Sequence, residues 1–398
     1  MQKEKHTPFT TKEVVTLVVI TCLVSFFMGS ILFLNDKDDS KFKDSNLDYF
    51  IEQYNYIVDN YYEDINKKEI IDGAVKGMVE ALGDDYSAYL EKDTSENFNI
   101  TLNGSYEGIG VSVAETIKNE IMVIGIFKNS PADKAGLKPM DVIKKVDNQD
   151  TSGKSATDLT KMIKNSKKDS IKITVKRENE EKEIIVKKDI VTIESVTSKV
   201  INENNKKIGY VQVGIFADNT FKQFKHQLEE LEQQKIDDLI IDLRGNSGGH
   251  LDVVVNMTSL FLNSDKVIFQ IQTKDDIEKI FSNGKKDKSY PIYILIDNDT
   301  ASASEVMASA LNEQLNATLI GQTSYGKGTI QEVKNTASGD QYKFTTKKWL
   351  TSKGVWLKNN GLKPNVIIEL DDKYFDDPKE ENDNQLKEAI KIISEKQK

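Results

Sequence analysis

Tyr290-Pro-Ile-Tyr-Ile-Leu-Ile296-Asp-Asn-Asp-Thr-Ala-Ser302-Ala-Ser304-Glu305 reads as a strand, a turn and a helix start in unbroken succession. The run Ile292–Ile296 is short and wholly apolar, as in a strand covered on both faces. Ser302-Ala-Ser304-Glu305 has the form of a capping box, with a serine at the helix start and a glutamate three residues on. The free N–H groups at such a helix start can also hold a developing negative charge. Ser302 therefore reads two ways, as a cap or as a nucleophile.

The next strand, Ala317–Ile320, leads into Gly321-Gln-Thr-Ser-Tyr-Gly326-Lys327-Gly328. A lysine between two glycines can be enclosed by backbone, and a desolvated lysine loses its proton near neutral pH. It can then take the proton of a serine hydroxyl. Capping accounts for Ser302 but not for this loop, so the sequence favours Ser302 as nucleophile and Lys327 as base. Side chains repeat every second residue on a strand, which puts Lys327 and Gln331 on one face with Thr329 between them. Gln331 could then hold the amine in position. Ser304 lies about 200° around the helix from Ser302 and suits packing.

Outward from this unit, strands and helices alternate. Lys207–Phe216 has strand alternation, and 219–234 is an amphipathic helix with Phe221, Phe224, Leu228 and Leu231 on one face. Asp238–Asp242 is a buried-type strand and Leu251–Leu262 a second helix. This rhythm implies a mostly parallel α/β core with its site at the strand C-terminal ends.

Three segments together carry a resemblance: Asp242-Leu-Arg244-Gly245-Asn246-Ser247-Gly248-Gly249, the Thr300–Glu305 run and the Gly326-Lys327-Gly328 run. In content and order they resemble the carboxy-terminal processing peptidases, or tail-specific serine proteases, from about Asp48 to about Ile368. The resemblance implies a crotonase- and Clp-protease-like core with Ser302 as nucleophile, Lys327 as base and Gln331 assisting. It also implies an oxyanion hole made by the amides of Ala303 and Gly248. Asp242 and Arg244 read as a structural pair shaping that loop. Asp84-Asp85-Tyr86-Ser87-Ala88-Tyr89 looks like the family's D-P-Y-S-x-Y turn, with Asp85 where proline is usual, and reads as a packing element.

Between about Asn103 and Val191 the pattern changes to short strands and glycine turns. Gly104-Ser-Tyr-Glu-Gly108-Ile109-Gly110-Val111, Ser130-Pro131-Ala132 and Ala135-Gly136-Leu137 resemble a PDZ domain. The loop Gly108, Ile109, Gly110, Val111 would offer N–H groups to a peptide carboxylate, and the strand after it would pair with the peptide. Lys164 is the cation nearest to where the family often carries a tail-sensing basic group.

Val14–Leu34 is an apolar stretch of about twenty residues, the length that crosses a bilayer. It reads as an uncleaved anchor with the catalytic part extracytoplasmic, the sidedness being implied by the resemblance. The expected organisation is a multidomain α/β protein. It comprises a cytoplasmic tail (1–13), the transmembrane anchor (14–34), a helical segment (45–100) and a PDZ-like β-rich domain (101–192). A serine protease core (193–370), then an acidic tail with a short helix (371–398), complete it.

Composition narrows the alternatives. A net charge of −10 over 398 residues argues against nucleic acid as a partner. Three histidines and one cysteine, Cys22, leave little for a zinc site, so no metal and no cofactor are expected. Gly321-x-x-x-x-Gly326-Lys327 imitates a phosphate-binding loop, but Gly328 stands at the magnesium-ligand position and a strand, not a helix, follows. Ser324-Tyr-Gly-Lys327 lacks the helix a Ser-x-x-Lys motif needs. Gly245–Gly249 imitates a chymotrypsin-like nucleophile loop without a histidine base, and His250 reads as a helix-start residue. Expected partners are proteins or peptides bound through their C-termini and the membrane at 14–34; homo-oligomer formation is left open.

Overall fold

The computed structural model describes residues 45–285 and 288–395. The expected span at 14–34 lies outside them, and among the described residues no helix is long and apolar enough to cross a membrane. The chain divides between Ala74 and Val75 into two compact units. The first contains α1 (Ser45–Asn60) and the start of α2 (Lys67–Glu80), as the spacing of Phe50, Tyr54 and Ile57 predicts.

The second unit begins with the end of α2, the turn Asp84–Ser87, β1 (Ala88–Leu90) and α3 (Lys92–Asn103). A small β-rich domain follows in chain order: β2 (Ser105–Gly108), β3 (Val111–Glu115), β4 (Ile121–Ile126), α4 (Pro131–Ala135), β5 (Val142–Val146), β6 (Gln149–Asp150), α5 (Ala156–Asn165), β7 (Ser170–Arg177), β8 (Glu180–Lys187) and β9 (Asp189–Thr192). Ile171, Ile173 and Val175, every second residue of β7, are fully buried against Ile121, Val123 and Leu159. Period-two burial of this kind fixes the register of the sheet. The strand order is β3-β4-β5-β7-β8, so β3 is an edge whose only partner among the described residues is β4.

The larger domain carries β10 (Val196–Glu203), β11 (Lys206–Val213), α6 (Thr220–Gln233), β12 (Asp238–Asp242), α7 (Leu251–Ser259), β13 (Val267–Gln272), β14 (Ile277–Phe281), β15 (Ile292–Ile296), α8 (Ala303–Leu315) and β16 (Thr318–Gly321). After these come β17 (Thr329–Asn335), β18 (Gln341–Thr351), β19 (Val366–Ile367), α9 (Asp372–Asp376) and α10 (Asn384–Glu395). Its main sheet has the order β10-β11-β12-β15-β16-β19 and is parallel except between β10 and β11. All five residues of β15 are buried, and they alternate between two cores. Ile292, Ile294 and Ile296 join α6, α7 and α8 on one face. Tyr293 and Leu295 join Leu386, Ala389 and Ile393 of α10 on the other. The acidic stretch after Leu370 thus ends in a helix that closes the second face of the sheet.

Strands β13, β14, β17 and β18, with β1, form a second, antiparallel sheet. The loops after β12, β15 and β16 leave the same end of the parallel sheet. They carry Gly248, Ser302 and Lys327.

Candidate active site

Ser302 sits immediately before α8 with φ 54° and ψ −116°. Positive φ in a residue with a side chain costs about 1–3 kcal/mol and persists only where the surroundings enforce it. Here they do. Asp297 Oδ1 accepts from Thr300 N–H at 2.9 Å and from Asp299 N–H at 3.1 Å, closing the turn before the serine. The carboxylate of Asp297 also takes the Gly245 N–H, at 3.0 Å to each oxygen.

Asn246, fully buried, stitches the glycine loop to the serine turn. Its carbonyl accepts Ala301 N–H at 3.0 Å and Ser304 Oγ at 2.8 Å. Its side chain donates to the Val213 carbonyl at 2.8 Å and accepts Gly248 N–H at 2.9 Å. Gly248 has φ 109°, and a Cβ there would stand 2.9 Å from Ser302 Cβ and 3.1 Å from Ala303 N. Only glycine lets that backbone lie against the serine. The expected oxyanion donors, Ala303 and Gly248, are therefore adjacent, although the Gly248 amide is engaged by Asn246.

Glu305, also fully buried, does more than cap. Its carboxylate accepts Ser302 N–H at 2.7 Å, Ser324 Oγ at 2.5 Å, Gly326 N–H at 2.7 Å and Lys327 N–H at 3.0 Å. One side chain thus ties the Ser302 backbone to the lysine loop. Burial pushes its carboxyl above the usual range, against the pull of those donors. The lysine loop is also held from behind. Trp349 Nε1 donates to the Lys327 carbonyl at 2.6 Å and Trp356 Nε1 to the Gly328 carbonyl at 2.9 Å.

Burial, reinforced by the nearby Lys343, lowers the Lys327 amine below the ordinary lysine range, while Asp84 and Glu305 pull the other way. Its Nζ stands 5.2 Å from the centroid of the Tyr86 ring. Gln331 Nε2 donates to Thr329 Oγ1 and Thr345 Oγ1, both at 3.0 Å. The pairing of β17 with β18 skips Thr346, a bulge that sets Thr345 opposite Gln331. Among the described residues no hydrogen bond joins Lys327 Nζ to Ser302 or to Gln331. The backbones of the expected site converge; the lysine head is turned to Tyr86.

Other expected residues take structural places. His250 starts α7 with Nε2 3.3 Å from Asp218 Oδ1. Arg244 lies between Asp242, at 2.6 Å, and Asp383, at 2.7 Å, joining the loop strand to the start of α10. Among the described residues no group of acidic, histidine or cysteine side chains could hold a metal ion.

In the smaller domain, Gly108 ends β2 and Val111 begins β3. The Ile109 carbonyl accepts Ala132 N–H at 2.8 Å, and the Gly110 carbonyl accepts Phe127 N–H at 3.1 Å. Gly110 has φ 79°, and a Cβ on it would stand 2.4 Å from Ser130 Cβ. Lys164, on α5, pairs with Glu96 of α3, and Lys161 pairs with Asp93 at 3.0 Å.

Sequence reasoning missed three participants. Glu305 was visible only as a cap, Asn246 only as a loop residue, and Tyr86 only as packing. Nothing local in the sequence signals that Tyr86 meets Lys327.

The sequence pattern of Peptidase family S41 matches residues 207–368, and that of the PDZ domain residues 108–187. The pattern of the activating protease CtpB N-terminal domain matches residues 30–94. Over 360 residues the chain is 35% identical to the carboxy-terminal processing protease CtpA of Bacillus subtilis, covering 90% of this chain and 76% of that relative. The chain belongs to the carboxy-terminal processing proteases of peptidase family S41. It is a serine-type endopeptidase with a PDZ domain. This processing protease is also 33% identical over 353 residues to CtpB of the same organism, covering 88% of this chain and 72% of that one. A solved Bacteroides fragilis chain assigned to the S41 proteases superposes with a TM-score of 0.51 at 15% identity, over 84% of this chain and 98% of its own. That likeness is one of fold.

Proposed function

We propose that this protease cleaves proteins from their C-terminal tails with Ser302 as nucleophile, Lys327 as general base and Gln331 as a positioning residue. The observation that carries the reading is Glu305, whose carboxylate holds the Ser302 and Lys327 amides together. In the reaction, neutral Lys327 takes the Ser302 proton and Ser302 attacks the scissile carbonyl. The amides of Ala303 and Gly248 receive the oxyanion, and water then hydrolyses the acyl-enzyme. Two groups must move first: Lys327 Nζ leaves Tyr86, and the Gly248 amide exchanges Asn246 for the oxyanion.

The tail enters through the PDZ domain. The unpaired edge of β3 supports strand addition, and the Gly108–Val111 loop takes the carboxylate. The division at 14, 34, 45, 101, 193 and 371 belongs to the same proposal, with 14–34 as a membrane anchor and the catalytic part outside the cell. Release of the full chain from membranes by alkaline carbonate would contradict the anchor.

The test of function is to incubate the chain with an unfolded protein bearing a free or an amidated C-terminus and to map the cuts. Charge-assisted hydrogen bonds lost on amidation weaken binding by about 1.5–3 kcal/mol, so cleavage at sub-saturating substrate should fall roughly tenfold or more. Equal rates would make the PDZ domain a lid or a docking module. Absence of any cleavage by the wild-type chain would sink the Ser302 assignment as well.

A further inference from the structure

The turn Asp84–Ser87 lies on the active site although it is more than two hundred positions from the serine in the chain. Asp84 Oδ2 accepts Ser87 Oγ at 2.5 Å and Thr345 Oγ1 at 2.6 Å, and Thr345 N–H reaches back to Ser87 Oγ at 3.2 Å. Ala88 then pairs with Lys343 and Tyr89 with Tyr342 on β18. Gln331 also donates to Thr345, so the turn and Gln331 share one anchor. Tyr86 projects from this anchored turn. Its ring faces Lys327 Nζ on one side and meets Tyr325 edge-on, centroids 6.5 Å apart, on another.

A ring face attracts an ammonium and not a neutral amine. The base of a Ser–Lys pair must be neutral and must reach the serine hydroxyl. The Tyr86 contact favours the opposite condition on both counts: a charged lysine, parked away from Ser302. Burial, with a hydrogen bond to Tyr325, pushes the Tyr86 phenol up to about 12, so the ring stays neutral while Lys327 titrates.

We propose that Tyr86 is a positioning residue that stores Lys327 as a protonated, non-productive base, so that the Asp84–Ser87 turn sets how readily the dyad forms. This rests on Lys327 being the base. The charged groups around Lys327 are Lys343 on β18, Asp84 on the turn and Glu305 on α8. Tyr86 differs from these groups in being neutral, so that its contribution depends on its ring electrons.

The test measures kcat/KM for fluorescein-labelled casein against pH with the full chain. Tyr86→Phe keeps the ring and should behave as wild type. Tyr86→Leu removes it. It should raise kcat/KM at neutral pH by roughly two- to thirtyfold, the range expected from losing a cation–π contact. The rising limb should move down by about a third of a unit to one and a half units. Phenylalanines bearing successive ring fluorines at position 86 keep the shape while draining the ring face, and the limb should move down stepwise with each fluorine. These variants carry the test if Tyr86→Leu does not fold. An unmoved limb across the fluorine series, or a slower Tyr86→Leu with an unmoved limb, overturns the proposal. Lys327→Ala is measured alongside: an active Lys327→Ala enzyme defeats the dyad itself, whereas an inactive one with an unmoved limb defeats only the role of Tyr86.

Discussion

Ser302 and Lys327, the proposed nucleophile and base, sit in regions built on different terms. Ser302 is fixed by Glu305 three residues on and Asn246 on the adjoining loop, both fully buried, and by Asp297 five residues back. Lys327 is fixed in the same way only as far as its backbone, by Glu305 and Trp349. Beyond that, its head follows a ring carried by a distant turn. On the proposed mechanism, a nucleophile held with positive φ is always ready, whereas a base held by a side-chain contact is ready when that contact breaks. The proposal therefore places control of the enzyme on the lysine side.

Replacing Ser302 tests the rigid half hardest. Ser302→Ala should reduce turnover of an unfolded protein roughly 10⁴-fold or more with unchanged Tm, since it removes one member of a unit that acts together. Comparable activity in the variant would move the nucleophile elsewhere. Gly248→Ala should lose about a hundredfold or more in kcat, the usual effect of losing an oxyanion donor. Its Cβ would stand 2.9 Å from Ser302 Cβ, so the loop must retreat from the serine. A near-normal kcat would remove Gly248 from the oxyanion hole.

Glu305→Ala leaves several buried donors without an acceptor and should cost about 3 kcal/mol or more in urea unfolding. Glu305→Gln should not recover it, because whichever way the amide turns its nitrogen cannot accept. Either the Ser302 and Lys327 N–H groups or the Gly326 N–H and Ser324 hydroxyl are left without their acceptor. A stable and fully active glutamine variant would show that nucleophile and base are not coupled through this residue. The smallest effect is expected at Gln331. Its side chain bonds Thr329 and Thr345, and Gln331→Ala should lose less than about tenfold in kcat/KM, as for one neutral hydrogen bond. A loss as deep as that of Ser302→Ala would mean that Gln331 touches the reacting atoms.

Much of this was legible in the sequence because it is local or periodic. The wholly apolar run Ile292–Ile296 marks a strand covered on both faces, and Ser302-x-x-Glu305 marks where α8 starts. Gly248 was placed beside Ser302 by the family resemblance, not by any local pattern. What was not legible depends on tertiary pairing. The acidic stretch after Leu370 showed its short helix in the sequence, but not that Leu386, Ala389 and Ile393 of that helix close the second core. Its Asp383 completes the Arg244 ion network, which no spacing of residues reveals. The Asp84–Tyr89 turn reads as packing because its partners, Thr345 and Lys327, belong to strands and loops far along the chain. The same cause hid the Lys327 contact with Tyr86, which no periodicity encodes.

The central claim is that Lys327, with its amine lowered by burial, is the base. A base must be neutral, so activity should rise with pH as Lys327 loses its proton, with a midpoint below the ordinary lysine value of about 10.4. The direct measurement is kcat/KM for an unfolded protein from about pH 6 to about pH 10, in the wild type and in Lys327→Ala. The account predicts a rising limb in the wild type and loss of activity, limb included, in the variant. An active Lys327→Ala enzyme with the same rising limb would contradict it.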